Sequence, residues 1–205
     1  IIPKLPEQKQ TIFFSATVAP DIKKLADTLL KKPVMVAVTP VASPAELVEQ
    51  SVFMVEKNHK RTLLKHLIKE RNMDQVLVFT RTKHGADKVA KELNKSGITA
   101  EAIHGNKSQN ARERALSGFK SRSIQALIAT DIAARGIDID RLGFVINFEL
   151  PEVPETYVHR IGRTGRAGAE GVALSFCDSE EKDYLKGITK LMKREIPKVE
   201  HPFNN

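Results

Sequence analysis

The sequence predicts an α/β protein built on a parallel β-sheet with helices on both faces. Short, almost continuous apolar segments alternate with longer segments whose apolar residues recur at helical spacing. The apolar segments are too short for helices and contain few polar residues, as expected of strands buried on both faces. Helices between such strands provide the crossover connections that a parallel sheet requires.

The elements follow one another in a regular order. The first helix opens at Pro20-Asp21, and a second has Leu63, Leu64, Leu67 and Ile68 on its apolar face. We predict strands at 11–14, 52–55, 76–79, 99–103, 126–129, 144–148 and 172–176, and further helices at 85–94, 110–119, 155–161 and 179–192.

Residues 38–46 are predicted to link two units. This stretch contains Pro40 and Pro44 among small residues, and proline blocks a regular helix. We therefore predict three parts: residues 1–37, a linker at 38–46, and one complete domain at 47–205. The sequence begins with Ile1 rather than Met, and we expect residues 1–37 to be the end of a preceding domain.

Composition indicates globular units rather than a disordered chain. Of 205 residues, 41% are hydrophobic and 28% charged. No apolar run approaches the roughly 18 residues of a membrane-spanning helix, so we expect no membrane partner. The single cysteine, Cys177, cannot form an internal disulfide, and we predict a reducing, cytoplasmic location. The oligomeric state is not predicted.

The charge of the chain makes polyanions candidate partners. The net charge is +8, and residues 51–100 hold eleven Lys and Arg against five Asp and Glu. An ordinary solubility charge is the alternative. The chain has no Trp and two Tyr, so it offers little for stacking on bases. A bound nucleic acid would therefore be held by its backbone.

The segment after the strand at 126–129 is a candidate ligand site. It contains Thr130, Asp131, Arg135 and Asp138, and the carboxyl ends of parallel strands are where such sheets bind ligands. The structural alternative is that Thr130 or Asp131 caps a short helix and Arg135 pairs with Asp138.

A second candidate follows the helix at 155–161. Arg160, Arg163 and Arg166 recur every third residue, interleaved with Gly162 and Gly165, so we expect their guanidinium groups on a flexible backbone with fewer acidic neighbours than arginines. Guanidinium groups match phosphate oxygens in two-point contacts and stay charged, so the pattern favours a phosphate ligand. A solvated basic turn is the alternative.

Three weaker candidates also follow strands. Gly105 and the helix start at Gln109 and Arg112 could accept a backbone phosphate, although capping by Ser108 explains the helix start equally well. Thr82 follows the strand at 76–79. The group Ser15-Ala16-Thr17 follows the first strand and is typical of a turn.

Taken in order, these segments resemble superfamily 2 helicases and, within them, the DEAD-box RNA helicases. His159 favours this group, because related DNA helicases and DEAH-type enzymes usually have Gln there. Segments 147–151 and 105–109 further resemble the bacterial RhlE-type branch. The matching segments are Phe14-Ser15-Ala16-Thr17 (motif III), 78–82 (motif IV), Gln109-Asn110-Ala111-Arg112 (the Q-x-x-R motif), 129–138 (motif V) and 159–166 (motif VI).

The resemblance implies a RecA-like domain and a role for each matching residue. ATP would lie in a cleft between two such domains, with Arg163 and Arg166 as arginine fingers on its γ-phosphate. RNA would cross both domains along its sugar-phosphate backbone. The implied residues are His159, Arg160, Arg163 and Arg166 for catalysis; Gly136, Asp138, Arg163 and Arg166 for ATP; Thr82, Gly105, Gln109, Arg112 and Thr130 for RNA; and Ser15, Thr17 and His159 for coupling to the other domain.

Two expected motifs are absent from the sequence. It contains neither a G-x-x-x-x-G-K-[ST] phosphate loop nor Asp-Glu-Ala-Asp, the magnesium site of the family. We therefore expect ATP and Mg²⁺ to be held mainly by an N-terminal RecA-like domain of the same protein. The hypothesis is a fragment of an ATP-dependent RNA helicase, inactive alone. The alternatives are a non-catalytic RNA-binding or regulatory module and a DNA-translocating superfamily 2 helicase.

Overall fold

The computed structural model describes residues 5, 6, 8–15, 20–36, 48–134, 142–165 and 171–203. The chain divides into two compact units, Ile1–Pro40 and Val41–Asn205. The predicted linker at 38–46 lies outside the described residues.

The first unit contains helix α1 (Pro20–Leu29), which begins where the sequence predicted. The predicted strand at 11–14 is wrong: these residues form no strand, and the side chains of Ile12 and Phe14 are exposed. A strand needs a hydrogen-bonding neighbour, and no strand is present among the described residues of this unit.

The second unit is an α/β domain whose described residues form a seven-stranded sheet in the order β3-β4-β2-β5-β6-β1-β7. Every paired neighbour runs parallel. The strands are β1 (Val48–Met54), β2 (Val76–Phe79), β3 (Ala100–Ile103), β4 (Ala126–Ala129), β5 (Phe144–Asn147), β6 (Gly171–Cys177) and β7 (Lys198–Val199).

Helices connect these strands. They are α2 (Lys60–Glu70), α3 (Lys83–Lys95), α4 (Gln109–Lys120), the short α5 (Asp131–Ala134), α6 (Pro154–Ile161) and α7 (Lys182–Met192). The helix predicted at 179–192 begins as a 3₁₀ turn, Ser179–Glu181, because Asp178 and Glu181 form a capping box there. The sequence did not predict β7.

Both faces of the sheet are buried because side chains alternate along each strand. Val76 and Val78 of β2 pack in one core with α2 and α3. Leu77 and Phe79 pack in a second core with α4 and α5. A third cluster joins α6 and α7 to β1 and β6. The candidate residues were predicted at the carboxyl ends of the strands. These ends therefore lie together along one edge of a sheet that is packed on both faces.

Candidate functional site

The turns that follow β3, β4 and β2 lie side by side at the carboxyl edge of the sheet. Phe79 and Ile103, the last residues of β2 and β3, both pair with Ala129 at the end of β4. The Thr80 amide donates to the carbonyl of Ala129 at 3.0 Å, and the Thr130 amide donates to that of Ile103 at 3.4 Å. The edge thus brings together the turns that carry Thr82, Gly105 and Thr130.

Thr82 is the N-cap of α3. Its hydroxyl oxygen accepts from the amide of Gly85 at 3.0 Å, and the residue is exposed. A Cβ at position 85 would lie 2.9 Å from that oxygen, so the close approach requires glycine. The Thr82 side chain is therefore held at a defined position, with its own hydroxyl proton available to a ligand.

The β3–α4 turn presents Gly105 to open space. A Cβ at this position would meet nothing within 4 Å. The turn is fixed to α3, because Lys107 Nζ lies 2.9 Å from Oδ1 of Asp87 and His104 Nε2 lies 3.1 Å from Oδ2. Burial opposes ionisation of Asp87, yet its close contacts with Lys107 and His104 outweigh this and hold its pKa below the ordinary value. The sequence had not singled out Asp87.

Helix α4 begins beside this turn, and Ser108 caps it by accepting from the amide of Ala111 at 3.3 Å. The capping alternative is therefore confirmed. Gln109 Nε2 donates to Oε1 of Glu113 at 2.7 Å and stays exposed. The Nε atom of Arg112 is buried and makes no hydrogen bond within the described structure. A buried guanidinium donor without a partner is costly, which favours a ligand contact at Arg112.

The β4–α5 turn joins the edge to α6 through a buried ion pair. Arg160 Nε lies 2.6 Å from Oδ1 of Asp131, and its NH2 lies 2.9 Å from Oδ2. Helix α5 begins at Asp131, and the Ala134 amide donates to the carbonyl of Thr130. The short helix of the structural alternative is therefore present.

Arg160 is 1% exposed, and its guanidinium makes several further contacts. Its NH1 donates to Asn147 Oδ1 at 3.2 Å and to the Glu149 carbonyl at 2.7 Å, and the guanidinium lies 5.0 Å from the centre of the Phe79 ring. The expectation that the three arginines have few acidic neighbours is thus wrong for Arg160. Its partner comes from a different strand end, 29 residues away in the sequence.

The segment that carries Arg163 is anchored rather than flexible, which corrects the sequence-based expectation. Thr164 is 1% exposed, and its hydroxyl donates to the carbonyl of Leu142. A Cβ on Gly171 would lie 2.4 Å from the Gly165 amide nitrogen, so glycine is required at 171. Gly165 has φ +65°, a left-handed conformation that favours glycine. This anchoring fixes the backbone beside the half-exposed Arg163.

The remaining predicted residues divide between exposed and undescribed positions. His159 is exposed on α6, and Ser15 is exposed in the first unit. Gly136, Asp138, Arg166 and Thr17 lie outside the described residues, as does the proposed pair of Arg135 and Asp138. The described structure therefore includes all five predicted RNA contacts of the second unit. Of motif VI it includes residues 159–165.

A buried ion cluster lies at the ends of β5 and β6, and sequence reasoning missed it. Lys60 is 2% exposed, and its Nζ contacts Glu181 and lies 2.9 Å from Oδ2 of Asp178. Arg81 NH2 lies 3.6 Å from Oε1 of Glu181, and the Arg81 amide donates to Oε2 of Glu149 at 2.8 Å. Burial opposes ionisation of Asp178, but the Lys60 ammonium keeps its pKa below the ordinary value. The cluster fixes the turn that precedes Thr82.

Two negative findings apply to the part of the chain that the structure describes. No three His, Cys, Asp or Glu side chains there are arranged to hold a metal ion. No helix there is long and apolar enough to cross a membrane.

The family comparison matches residues 59–168 to the helicase conserved C-terminal domain. Among similar proteins, the DEAD-box ATP-dependent RNA helicase CshA of Bacillus licheniformis is 40% identical over 98% of this chain, and the pre-mRNA-splicing ATP-dependent RNA helicase PRP28 of Pyricularia oryzae is 40% identical over 93%. The chain spans only 42% of that CshA and 29% of that PRP28.

Solved structures agree with this match. Dbp5 of S. cerevisiae bound to RNA and ADP BeF3 superposes with a TM-score of 0.86 at 28% identity, covering 97% of this chain and 53% of that one. SrmB of E. coli bound to the regulator RraA gives a TM-score of 0.70 at 32% identity, covering 74% of this chain and 90% of that one. The chain therefore belongs to the helicase conserved C-terminal domain family, as the RecA-like C-terminal domain of the DEAD-box type. The comparisons do not single out the RhlE-type branch.

Proposed function

We propose that this chain is the second RecA-like domain of an ATP-dependent RNA helicase, which we call the parent protein. It supplies arginine fingers to ATP and binds the RNA backbone. The observation that carries the proposal is the pair of Asp131 and Arg160, which joins the turn containing Thr130 directly to the helix that precedes Arg163. The pair thus connects a segment assigned to RNA with a segment assigned to ATP.

On the ATP side, Arg163 and Arg166 contact the γ-phosphate, and Gly136 and Asp138 contact the nucleotide, with Asp138 on the ribose. Support for Arg163 comes from its half-exposed position on a backbone that Thr164 and Gly165 fix. A fixed backbone reduces the entropy lost when a guanidinium meets phosphate. Mg²⁺ is placed in the other domain, where it would neutralise phosphate charge.

On the RNA side, Thr82, Gly105, Gln109, Arg112 and Thr130 contact sugar and phosphate groups. Support comes from three features: the exposed Thr82, the open space at Gly105, and the unpartnered Nε of Arg112. Hydroxyl, amide and guanidinium donors suit phosphate oxygens and carry no base information. We therefore expect little sequence preference.

The domain assignment completes the proposal. Residues 1–37 are the end of the ATP-binding domain, 38–46 form the linker, and 47–205 form the second domain; the division of the chain after Pro40 supports this. Ser15, Thr17 and His159 couple the two domains when ATP and RNA close them, and closure bends one RNA strand away from its duplex partner. We place the parent protein in the cytoplasm, in line with the buried free thiol of Cys177.

The isolated chain offers a direct test of the RNA site. We expect weak, salt-sensitive binding to single-stranded RNA, no hydrolysis of ATP, and a loss of RNA affinity of about tenfold in Arg112→Gln, since that guanidinium meets the backbone. The matched control, Arg114→Gln, removes an exposed guanidinium two positions along the same helix. Equal affinities in all three proteins would contradict the assigned RNA site. Steady ATP turnover by the isolated chain would contradict the expectation that hydrolysis needs the other domain.

Two further measurements separate the alternative functions. In the parent protein, stimulation of ATP hydrolysis by RNA but not by DNA of matched length supports an RNA helicase, and the reverse supports a DNA translocase. RNA binding without any hydrolysis in the parent protein would indicate a non-catalytic module.

A further inference from the structure

A groove opens between the first turns of α2 and α3. It has a volume of about 160 Å³, and four basic side chains line it: Lys57, Lys60, Arg61 and Lys88. Gly85 also lines it, three residues beyond Thr82. The groove therefore adjoins the proposed RNA contact at Thr82.

Two of these four cations are already neutralised. Lys57 Nζ lies 2.9 Å from Oε2 of Glu180, and Lys60 belongs to the buried ion cluster. Arg61 and Lys88 form no ion pair within 4 Å with any carboxylate in the described parts of the chain. Lys88 is exposed and Arg61 is half-buried, so the Lys88 ammonium and the Arg61 guanidinium can both contact an anion in the groove.

The two carboxylates in the groove do not offset this charge. Glu149 accepts from the amide of Arg81, and its carboxylate lies 3.8 Å from the Arg81 guanidinium. Asp178 pairs with Lys60. Both carboxylates are therefore occupied by cations and amides of the cluster behind the groove, and neither pairs with Arg61 or Lys88.

The positive charge continues below the groove along the seam between α2 and α3. Glu92 on α3 pairs with Lys95 at 3.3 Å, and Arg61 and Lys65 of α2 also act electrostatically on its carboxylate, so the two basic rows face each other there. Together α2 and α3 hold eight Lys and Arg and only three Asp and Glu. Lys88 and Lys95 lie seven residues apart on α3, so the seam is about 10 Å long.

We propose that this basic seam, defined by Arg61, Lys65, Lys88 and Lys95, binds the phosphate backbone of RNA that extends beyond the nucleotides held at Thr82, Gly105 and Thr130. The inference rests on the proposed function, because it needs RNA at the carboxyl edge. RNA is favoured over a protein partner because the seam is cationic and lies next to the Thr82 turn, which is itself a proposed RNA contact. It offers no exposed aromatic side chain, so its contacts are electrostatic and independent of base identity.

The seam predicts that affinity depends on RNA length. The double variant Arg61→Gln/Lys88→Gln removes both charges while keeping flexible polar side chains of similar helix propensity. For single-stranded RNA of about 20 nucleotides we expect about tenfold weaker binding, and a slope of log K against log salt that is about 1.4 smaller, at roughly 0.7 per lost phosphate contact. Binding of RNA of about 6 nucleotides, which fills only the edge, should not change.

The control variant is Lys120→Gln/Lys190→Gln, which removes the same charge from exposed positions on α4 and α7. Fluorescence anisotropy titrations at two or more salt concentrations measure both RNA lengths, and thermal unfolding confirms that each variant is folded. Three results would overturn the seam: unchanged binding of the long RNA, an equal loss on the short RNA, or an equal loss in the control. A seam that serves an acidic protein instead gives the first of these results.

The same titrations separate failure of the seam from failure of the proposed function. If the short RNA binds and Arg112→Gln weakens that binding, the RNA site at the carboxyl edge is supported, regardless of the result for the seam variant. If neither RNA responds to Arg112→Gln, the edge site itself is contradicted.

Discussion

The carboxylate of Asp131 and the guanidinium of Arg160 form a two-point ion pair, with Nε–Oδ1 and NH2–Oδ2 distances of 2.6 and 2.9 Å. The pair connects the end of β4 to α6, and its arginine is 1% exposed while the aspartate side chain is 35% exposed. Thr130 and Arg163 lie one and three residues from its two members. The pair is therefore a direct physical link between the two proposed ligand sites.

We expect the Asp131–Arg160 pair to be important for stability. Asp131→Asn removes the counter-charge of the buried Arg160, and because Asp131 is 35% exposed and Arg160 keeps its bonds to Asn147 and Glu149, we expect a cost of about 1–3 kcal/mol. Urea unfolding of the isolated domain measures the change. Asp183→Asn breaks the exposed pair with Lys186 and should leave the unfolding midpoint unchanged. Equal midpoints for Asp131→Asn and the unmutated chain would contradict the structural role of the pair.

The buried Lys60 cluster should make stability depend on acid pH. The pKa of Asp178 is lowered in the folded state by the Lys60 ammonium, so the folded state binds protons less readily than the unfolded chain. The resulting stabilisation is complete above the ordinary pKa of Asp, about 4, and is lost as the pH falls through the folded-state value.

Asp178→Asn tests this assignment because Asn retains the cap on the amide of Glu180 but lacks the charge. Unfolding free energies between about pH 7 and pH 3 should fall less steeply in the variant than in the unmutated chain. Parallel pH profiles of the two proteins would show that Asp178 does not carry the effect.

Thr82 has two roles that a pair of substitutions can separate. Its hydroxyl caps α3, and it is also a proposed RNA contact. Thr82→Ala should destabilise the domain by about 1 kcal/mol and weaken RNA binding. Thr82→Ser keeps the hydroxyl and should retain both properties. A Thr82→Ala variant with normal RNA affinity would limit Thr82 to its capping role.

Much of the fold follows from the sequence because of burial. Strands β2 and β4 were predicted to the residue, since all four side chains of each are buried and apolar. Helices α3 and α4 begin one or two residues earlier than predicted, because their caps, Thr82 and Ser108, set their starts. The apolar residues at 11–14 show the limit: they remain exposed because strand formation depends on a neighbour as well as on composition.

The candidate site was predicted only in part. Local sequence identified Arg160 and Asp131 but not their contact, because a pairing between two strand ends depends on sheet order. It also missed Lys60, since lysine is rarely buried unless it is paired, and its partner carboxylates lie more than a hundred residues away.

Motif VI is proposed to supply arginine fingers to ATP that another domain holds. The most direct test of this role is RNA-stimulated ATP turnover by the parent protein carrying Arg166→Ala, with Lys186→Ala, an exposed change on α7, as the control. We predict that turnover falls by about 10³-fold or more in the Arg166 variant while RNA affinity and thermal unfolding stay unchanged, because the lost charge acts on the transition state. Near-normal turnover by that variant would show that Arg166 is not an arginine finger.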